Sequence, residues 1–279
     1  MRNILVATDF SDVSKNAVKY AASLSEYLGA TLHLLNVYES TLYYTAEMPY
    51  TAVESAEKLA REEAEKKMEH LKASISKSFP GLSLETEIKR GVSAESITDF
   101  ADHINADLVV AGATGAGVVE RTLIGSTTTA IINKSKKLVL IVPEGIKFEG
   151  VSKIVYATDL HDDNIQAAND LALFARPLNA EIVFLLVDNK IRTDSEELSE
   201  EMSERIHKHV KYPKISGYVC TDPLVTNGID LFVKKSNAEM VCMLTHHRKF
   251  PRMLWDKSLT TKFAYHTHVP LLVMHAAEV

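Results

Sequence analysis

The residues best placed to do chemistry form one cluster: Gly112-Ala113-Thr114-Gly115, then nine residues, then Gly125-Ser126-Thr127-Thr128-Thr129. Glycine lets the main chain come close to a pyrophosphate. The free N–H groups at the start of a helix, reinforced by the helix dipole, suit an anion. The apolar run 107–112 predicts a strand just before the cluster, and 126–134 predicts a helix beginning at Ser126. The spacing therefore predicts a main-chain cradle for the phosphates of a nucleotide. A plainer reading stays open, in which Gly112 and Gly115 only shape a turn and Ser126 only starts a helix. There is no G-x4-G-K-[ST] and no strand-end G-x-G-x-x-G, so neither a P-loop nor a Rossmann fingerprint is present.

Turnover asks for more than a cradle. Phosphoryl transfer needs metal ligands, a positioned nucleophile and a cation at the terminal phosphate. The loop supplies amides and hydroxyls, and its nearest cation is Arg121. A fast ATPase is disfavoured and slow hydrolysis stays open. G-x-S-x-G is absent, and no paired-carboxylate signature is present.

The elements that must hold this cluster alternate. Segments 3–8, 31–37, 83–89, 107–112 and 138–142 read as strands, and 13–28, 52–79, 94–104 and 126–134 as helices, with Gly29 as a C-terminal cap and Pro80-Gly81 ending the long charged helix. Most of these strands are apolar throughout rather than at every second residue, which calls for a parallel sheet covered on both faces. Such sheets bind ligands beyond the carboxyl ends of their strands, here after Val6, Val37 and Val110.

The chain also repeats itself. Residues 1–37 align with 151–187 at an offset of 150 with 11 identities, among them Thr8/Thr158, Asp9/Asp159, Ala30/Ala180 and Val37/Val187. Residues 88–142 align with 220–274 at an offset of 132, with Ile97/Ile229, Phe100/Phe232 and Ser126/Ser258 identical. A unit this long has its own core, so the expected organisation is two tandem open α/β sandwiches, 1–147 and 148–279.

The glycine signature, together with Ile4-Leu5-Val6-Ala7-Thr8-Asp9-Phe10-Ser11 and Leu34-Leu35-Asn36-Val37, resembles the universal stress protein family, here as a tandem two-domain member. The resemblance implies a five-stranded parallel sheet with helices on both faces in each unit, of the adenine nucleotide alpha hydrolase-like kind. It also implies ATP, with or without Mg, held in the cleft. By that resemblance Asp9 and the Val37 main chain would contact adenine, Gly112 and Gly115 would line ribose and phosphates, and Gly125, Ser126 and Thr127 would hold the phosphate chain. Read from the residues alone, Asp9 could equally cap the helix that follows it.

The second unit lacks the signature. The three glycines map onto Leu244, His247 and Lys257, and only Gly217 and Gly228 lie beyond residue 150. One nucleotide per chain is expected, in the first unit. The second unit instead carries eight of the 11 histidines, including His246-His247 and His266-x-His268, but no C-x-x-C or H-E-x-x-H pattern accompanies them, so no metal site is assigned. The basic stretch around His247-Arg248-Lys249 offers a weaker anion site through side chains.

Composition narrows the partners. A net charge of -6 leaves no basic surplus for a nucleic-acid backbone. No apolar stretch approaches the ~20 residues of a membrane span, and the amino terminus lacks a signal-peptide layout, so a cytoplasmic protein is expected. Cys220 and Cys242 read as small apolar residues. The expected role is that of an adenine-nucleotide-responsive regulator in stress, with an ATP-independent structural or chaperone-like scaffold as the alternative. The two copies are expected to pair as an intrachain pseudo-dimer, with segments 130–132, 138–142 and 271–274 as candidate interface elements. The resemblance adds homodimer formation through the last strands, and protein partners cannot be named.

Overall fold

The computed structural model describes residues 1–38, 50–113, 125–159, 162–189, 195–245 and 268–276. The first half runs β1 (Asn3–Ala7), α1 (Asp12–Leu28), β2 (Thr31–Tyr38), α2 (Tyr50–Ser78), β3 (Leu84–Arg90), α3 (Ser93–His103), β4 (Leu108–Gly112), α4 (Ser126–Lys134) and β5 (Leu138–Val142). The second half runs β6 (Lys153–Ala157), α5 (Asp162–Leu178), β7 (Glu181–Asp188), α6 (Ser195–His209), β8 (Ile215–Thr221), α7 (Val225–Ser236), β9 (Met240–Thr245) and β10 (Leu271–His275). Each element of the first half lies within two residues of the span its sequence predicts. Gly29 caps α1 as expected, at φ +64° with its N–H on the Glu26 carbonyl.

All ten strands form one sheet in the order β3-β2-β1-β4-β5-β10-β9-β6-β7-β8. Pairing is parallel within each half, and the second half repeats the order of the first. The halves meet where β5 and β10 pair antiparallel, Leu271 opposite Ile141 and Val273 opposite Val139. Each strand fills the other's edge, so a second chain has no free edge of β5 or β10 to pair with. His275 Nε2 lies 2.7 Å from the Ile132 carbonyl beside this seam.

Alternate strand residues feed two apolar layers. Ile4, Val6, Leu32 and Leu34 face α1 and α2, in a layer that continues through Leu140 and Leu272 to Phe174 and Phe184. Leu5, Leu35, Val109 and Ile141 face α3 and α4, in a layer that continues through Val273 to Ile229 and Val233. Buried on both faces, the central strands need the apolar sequence they have. The order 3-2-1-4-5 places a switch in winding direction between β1 and β4, and their carboxyl ends diverge there to leave a crevice.

Candidate functional site

The crevice is a hollow of about 160 Å³ at the carboxyl ends of β1, β2 and β4, closed below by the apolar Leu35, Ile97 and Ile131. Six residues singled out in the sequence line it together: Asp9, Val37, Gly112, Gly125, Ser126 and Thr127. The seventh, Gly115, lies outside the described residues, as do His246, His247, His266 and Lys257.

At the phosphate end, α4 begins on Gly125, at φ -61° and ψ 148°, with no side-chain cap and no acidic residue in its first turn. Its leading N–H groups are therefore not met by a capping side chain, and the helix dipole adds positive potential there. Gly125 N–H donates to the Ala113 carbonyl at 3.0 Å, and the Thr128 hydroxyl donates to the Gly112 carbonyl at 2.9 Å. These two bonds tie the start of α4 to the end of β4. The φ of Gly125 is open to any residue, so what glycine provides there is the missing side chain.

At the opposite end, β1 leaves the sheet through a tight turn. Phe10 sits at φ +64°, a left-handed conformation that costs a residue with a side chain about 1–2 kcal/mol. The Ser11 N–H donates to Asp9 Oδ1 at 3.0 Å, and the Phe10 N–H donates to Thr8 Oγ1 at 3.0 Å. The helix cap itself is Ser11, whose Oγ accepts from the Ser14 N–H at 3.2 Å. This decides the alternative that the sequence leaves open: Asp9 does not cap α1, and its carboxylate stands at the hollow.

Sequence reasoning missed several residues of the site. Asn36 is 5 % exposed, and its Nδ2 donates to the Thr8 carbonyl at 2.7 Å, tying the exit of β1 to the end of β2 that carries Val37. Ser93 and Ile97, on α3, reach the hollow from beyond β3, a strand end the linear reading did not inspect. Thr8 and Ser14 share a hydrogen bond at 3.0 Å beneath Asp9. The run of hydroxyls after Gly125 could have pointed to Thr128. The others follow only from strand order.

The second half places its counterparts differently. Thr158 and Asp159 follow β6 as Thr8 and Asp9 follow β1. Leu186 stands where Asn36 does, and Leu244, buried within β9, where Gly112 does. Gly228 lets α7 settle against β7: a Cβ there would stand 2.6 Å from Val187 Cγ1. Val187 is accordingly buried, whereas Val37 lines a hollow. Among the described residues no group of three or more histidine, cysteine, aspartate or glutamate side chains could hold a metal. His207 and His209 have their Nδ1 atoms 2.8 Å from carbonyls one turn back along α6. Cys242 is buried and Cys220 half-buried, and burial pushes both thiols up. Among the described residues no helix is long and apolar enough to cross a membrane.

Comparison with known proteins agrees with this architecture. Two curated relatives are MJ0531 of Methanocaldococcus jannaschii, 31 % identical over 143 residues covering 50 % of this chain and 81 % of that protein, and Sll1654 of Synechocystis, 30 % identical over 142 residues covering 51 % and 85 %. Both carry the name universal stress protein. Two crystal structures share the fold over 99 % of this chain: a universal stress protein from Archaeoglobus fulgidus (TM-score 0.69, 15 % identity, 97 % of that chain) and the functionally unknown protein PA1789 from Pseudomonas aeruginosa (TM-score 0.57, 14 % identity, 93 %). The model of the universal stress protein family matches residues 1–143, and the chain belongs to that family.

Proposed function

We propose that the first half binds an adenine nucleotide, ATP with or without Mg, in the hollow between β1 and β4, and that the protein acts as a nucleotide-responsive regulator in the stress response. One observation carries this reading: an uncapped helix start free of acidic residues lines the same hollow as Asp9 and Val37, together with the apolar Leu35, Ile97 and Ile131. The phosphates would lie against the Ser126 and Thr127 amides and hydroxyls. Adenine would take the apolar end, where Asp9 can accept from its amino group. The α4 start carries no acidic residue in its first turn, and no hydrolytic step is assigned to the described residues.

The second half is proposed to be a degenerate copy, beginning near residue 148, that binds no nucleotide. The antiparallel β5–β10 seam supports reading the pair as an intrachain pseudo-dimer. Calorimetric titration with ATP is expected to give one site per chain, and two sites would contradict the assignment. Gly125→Asp should abolish binding and leave the fold intact. Asp is a favoured N-cap and suits the backbone at residue 125, yet it sets a negative charge where phosphate would go. Unchanged ATP affinity in that variant would remove the phosphate end of the site.

A further inference from the structure

A second and larger cleft lies away from the strand ends, between α1, the last turns of α2 and the segment that joins the two halves. Its volume is about 500 Å³, within the ~300–1,000 Å³ of small-molecule sites. The floor is apolar and largely aromatic. Tyr20 and Phe148 meet edge to face with ring centroids 5.4 Å apart, and Ile75 and Phe79 complete it. The joining segment is fixed there by Asn16, whose Nδ2 donates to the Pro143 and Ile146 carbonyls at 3.1 and 3.0 Å. Phe148 also packs edge-on against Tyr27 at 5.7 Å. The cleft is thus built of fixed parts.

Its polar groups include two ammonium groups and several hydroxyls, which donate as well as accept. Tyr20 is only 3 % exposed, and its hydroxyl has no hydrogen-bond partner among the described residues. Burial, helped by Glu239, pushes that phenol far above its ordinary value, so it stays protonated and able to donate. Lys19 and Lys147 stand at the mouth, and neither forms an ion pair among the described residues. Hydroxyls come from Ser23, Ser74 and Ser78, the last already donating to the Ser74 carbonyl at 3.1 Å, and the one carboxylate of the lining is Glu149. The Tyr20 hydroxyl is not among the buried atoms that lack a partner, so it reaches solvent, and a ligand acceptor would take the place of water there.

We infer that this cleft binds a small amphipathic carboxylate, its hydrocarbon body over Phe79 and Phe148 and its acid group among Tyr20, Lys19 and Lys147. The site is separate from the hollow at the strand ends and does not depend on the nucleotide reading.

The test uses the full chain and dodecanoate below its micelle concentration, with 1-dodecanol as the neutral probe, read by titration calorimetry. Saturable binding of dodecanoate is expected, with dodecanol about tenfold weaker or more, since charge-assisted hydrogen bonds are lost. Replacing both lysines, Lys19→Ala with Lys147→Ala, should weaken dodecanoate about tenfold and leave dodecanol unchanged. Ser23→Trp should fill the cleft and remove binding of both. Each variant should keep a cooperative melting transition close to that of the wild type, which shows that it folds whether or not ATP binds. Equal affinity for the acid and the alcohol would overturn the inference. So would dodecanoate binding that ignores Ser23→Trp, or binding seen only with phosphatidylglycerol vesicles.

Discussion

Asn36 ties together two strand ends at the proposed site without lining the hollow itself. Its amide donates to the Thr8 carbonyl, while its own Oδ1 is buried with no partner. The unmet oxygen costs something, and the gain is a fixed distance between the two strand ends that carry Asp9 and Val37. Asn36→Leu, which copies Leu186 of the second half, removes the positioning bond and the unmet oxygen together. The expected change in folding stability is therefore small, within about 1 kcal/mol, while ATP affinity falls about tenfold. Chemical denaturation and calorimetry measure the two separately, and a variant that loses stability but keeps its affinity would deny the positioning role. His33 offers a pH test at the same scale. It is 7 % exposed, its Nδ1 lies 3.2 Å from Glu85 Oε2, and burial outweighs that carboxylate and lowers its pKa below 6.5. As pH falls below 6.5 the unfolded chain takes up this proton before the folded chain does, so stability drops across that window. Urea midpoints at pH 7.5 and 5 should show a shallower acid loss in His33→Gln than in the wild type. Equal losses would mean that His33 titrates alike in both states.

At the scale of elements, two glycines do opposite jobs, and only one of them could be recognised in advance. Gly29 ends α1 in a left-handed turn with no atom within 4 Å of where a Cβ would stand. Gly29→Ala should thus cost only backbone strain, about 1 kcal/mol. Gly228 needs no unusual φ, but a Cβ there would press 2.6 Å from Val187 Cγ1 and 3.1 Å from Asp222 Cβ. Gly228→Ala should cost about 1–3 kcal/mol through overpacking, and Val187→Ala should relieve it, a coupling that a double-mutant cycle reads directly. The cap was legible because it follows from local chemistry, a glycine between a helical apolar pattern and a strand. The packing role was not, because it depends on how closely α7 approaches β7. The same division runs through the site. Gly112, Gly125, Ser126 and Thr127 announce themselves by spacing. Asn36, Ser93 and Ile97 join them only once the order 3-2-1-4-5 brings separate strand ends together. Asp9 fell between the two, since a carboxylate after a strand reads equally well as a cap until Ser11 is seen in that place.

Over the whole molecule, the seam between β5 and β10 decides how binding in one half is felt in the other. Both apolar layers cross it: Leu140 and Leu272 belong to one, Ile141 and Val273 to the other. The joining segment is pinned to α1 by Asn16, Tyr20 and Tyr27, so neither half can unfold without exposing apolar surface that the other covers. A single cooperative thermal transition is therefore expected for the chain, although only the first half carries the proposed nucleotide site. The size of the ATP effect tests this. A ligand at a hundred times its Kd adds about 2.7 kcal/mol, and unfolding entropy near 60 °C is about 2.1 cal/mol/K per residue. If all 279 residues melt together, the midpoint should rise by about 4–5 °C. If the 143 residues matched by the family model melted alone, the same ligand would raise their midpoint by about 9 °C and leave a second transition unmoved. Scanning calorimetry with and without ATP separates these outcomes. Two transitions of which only one shifts would mean that the seam joins the halves in space without coupling their stability, and that a nucleotide signal would have to leave the first half by its own surface.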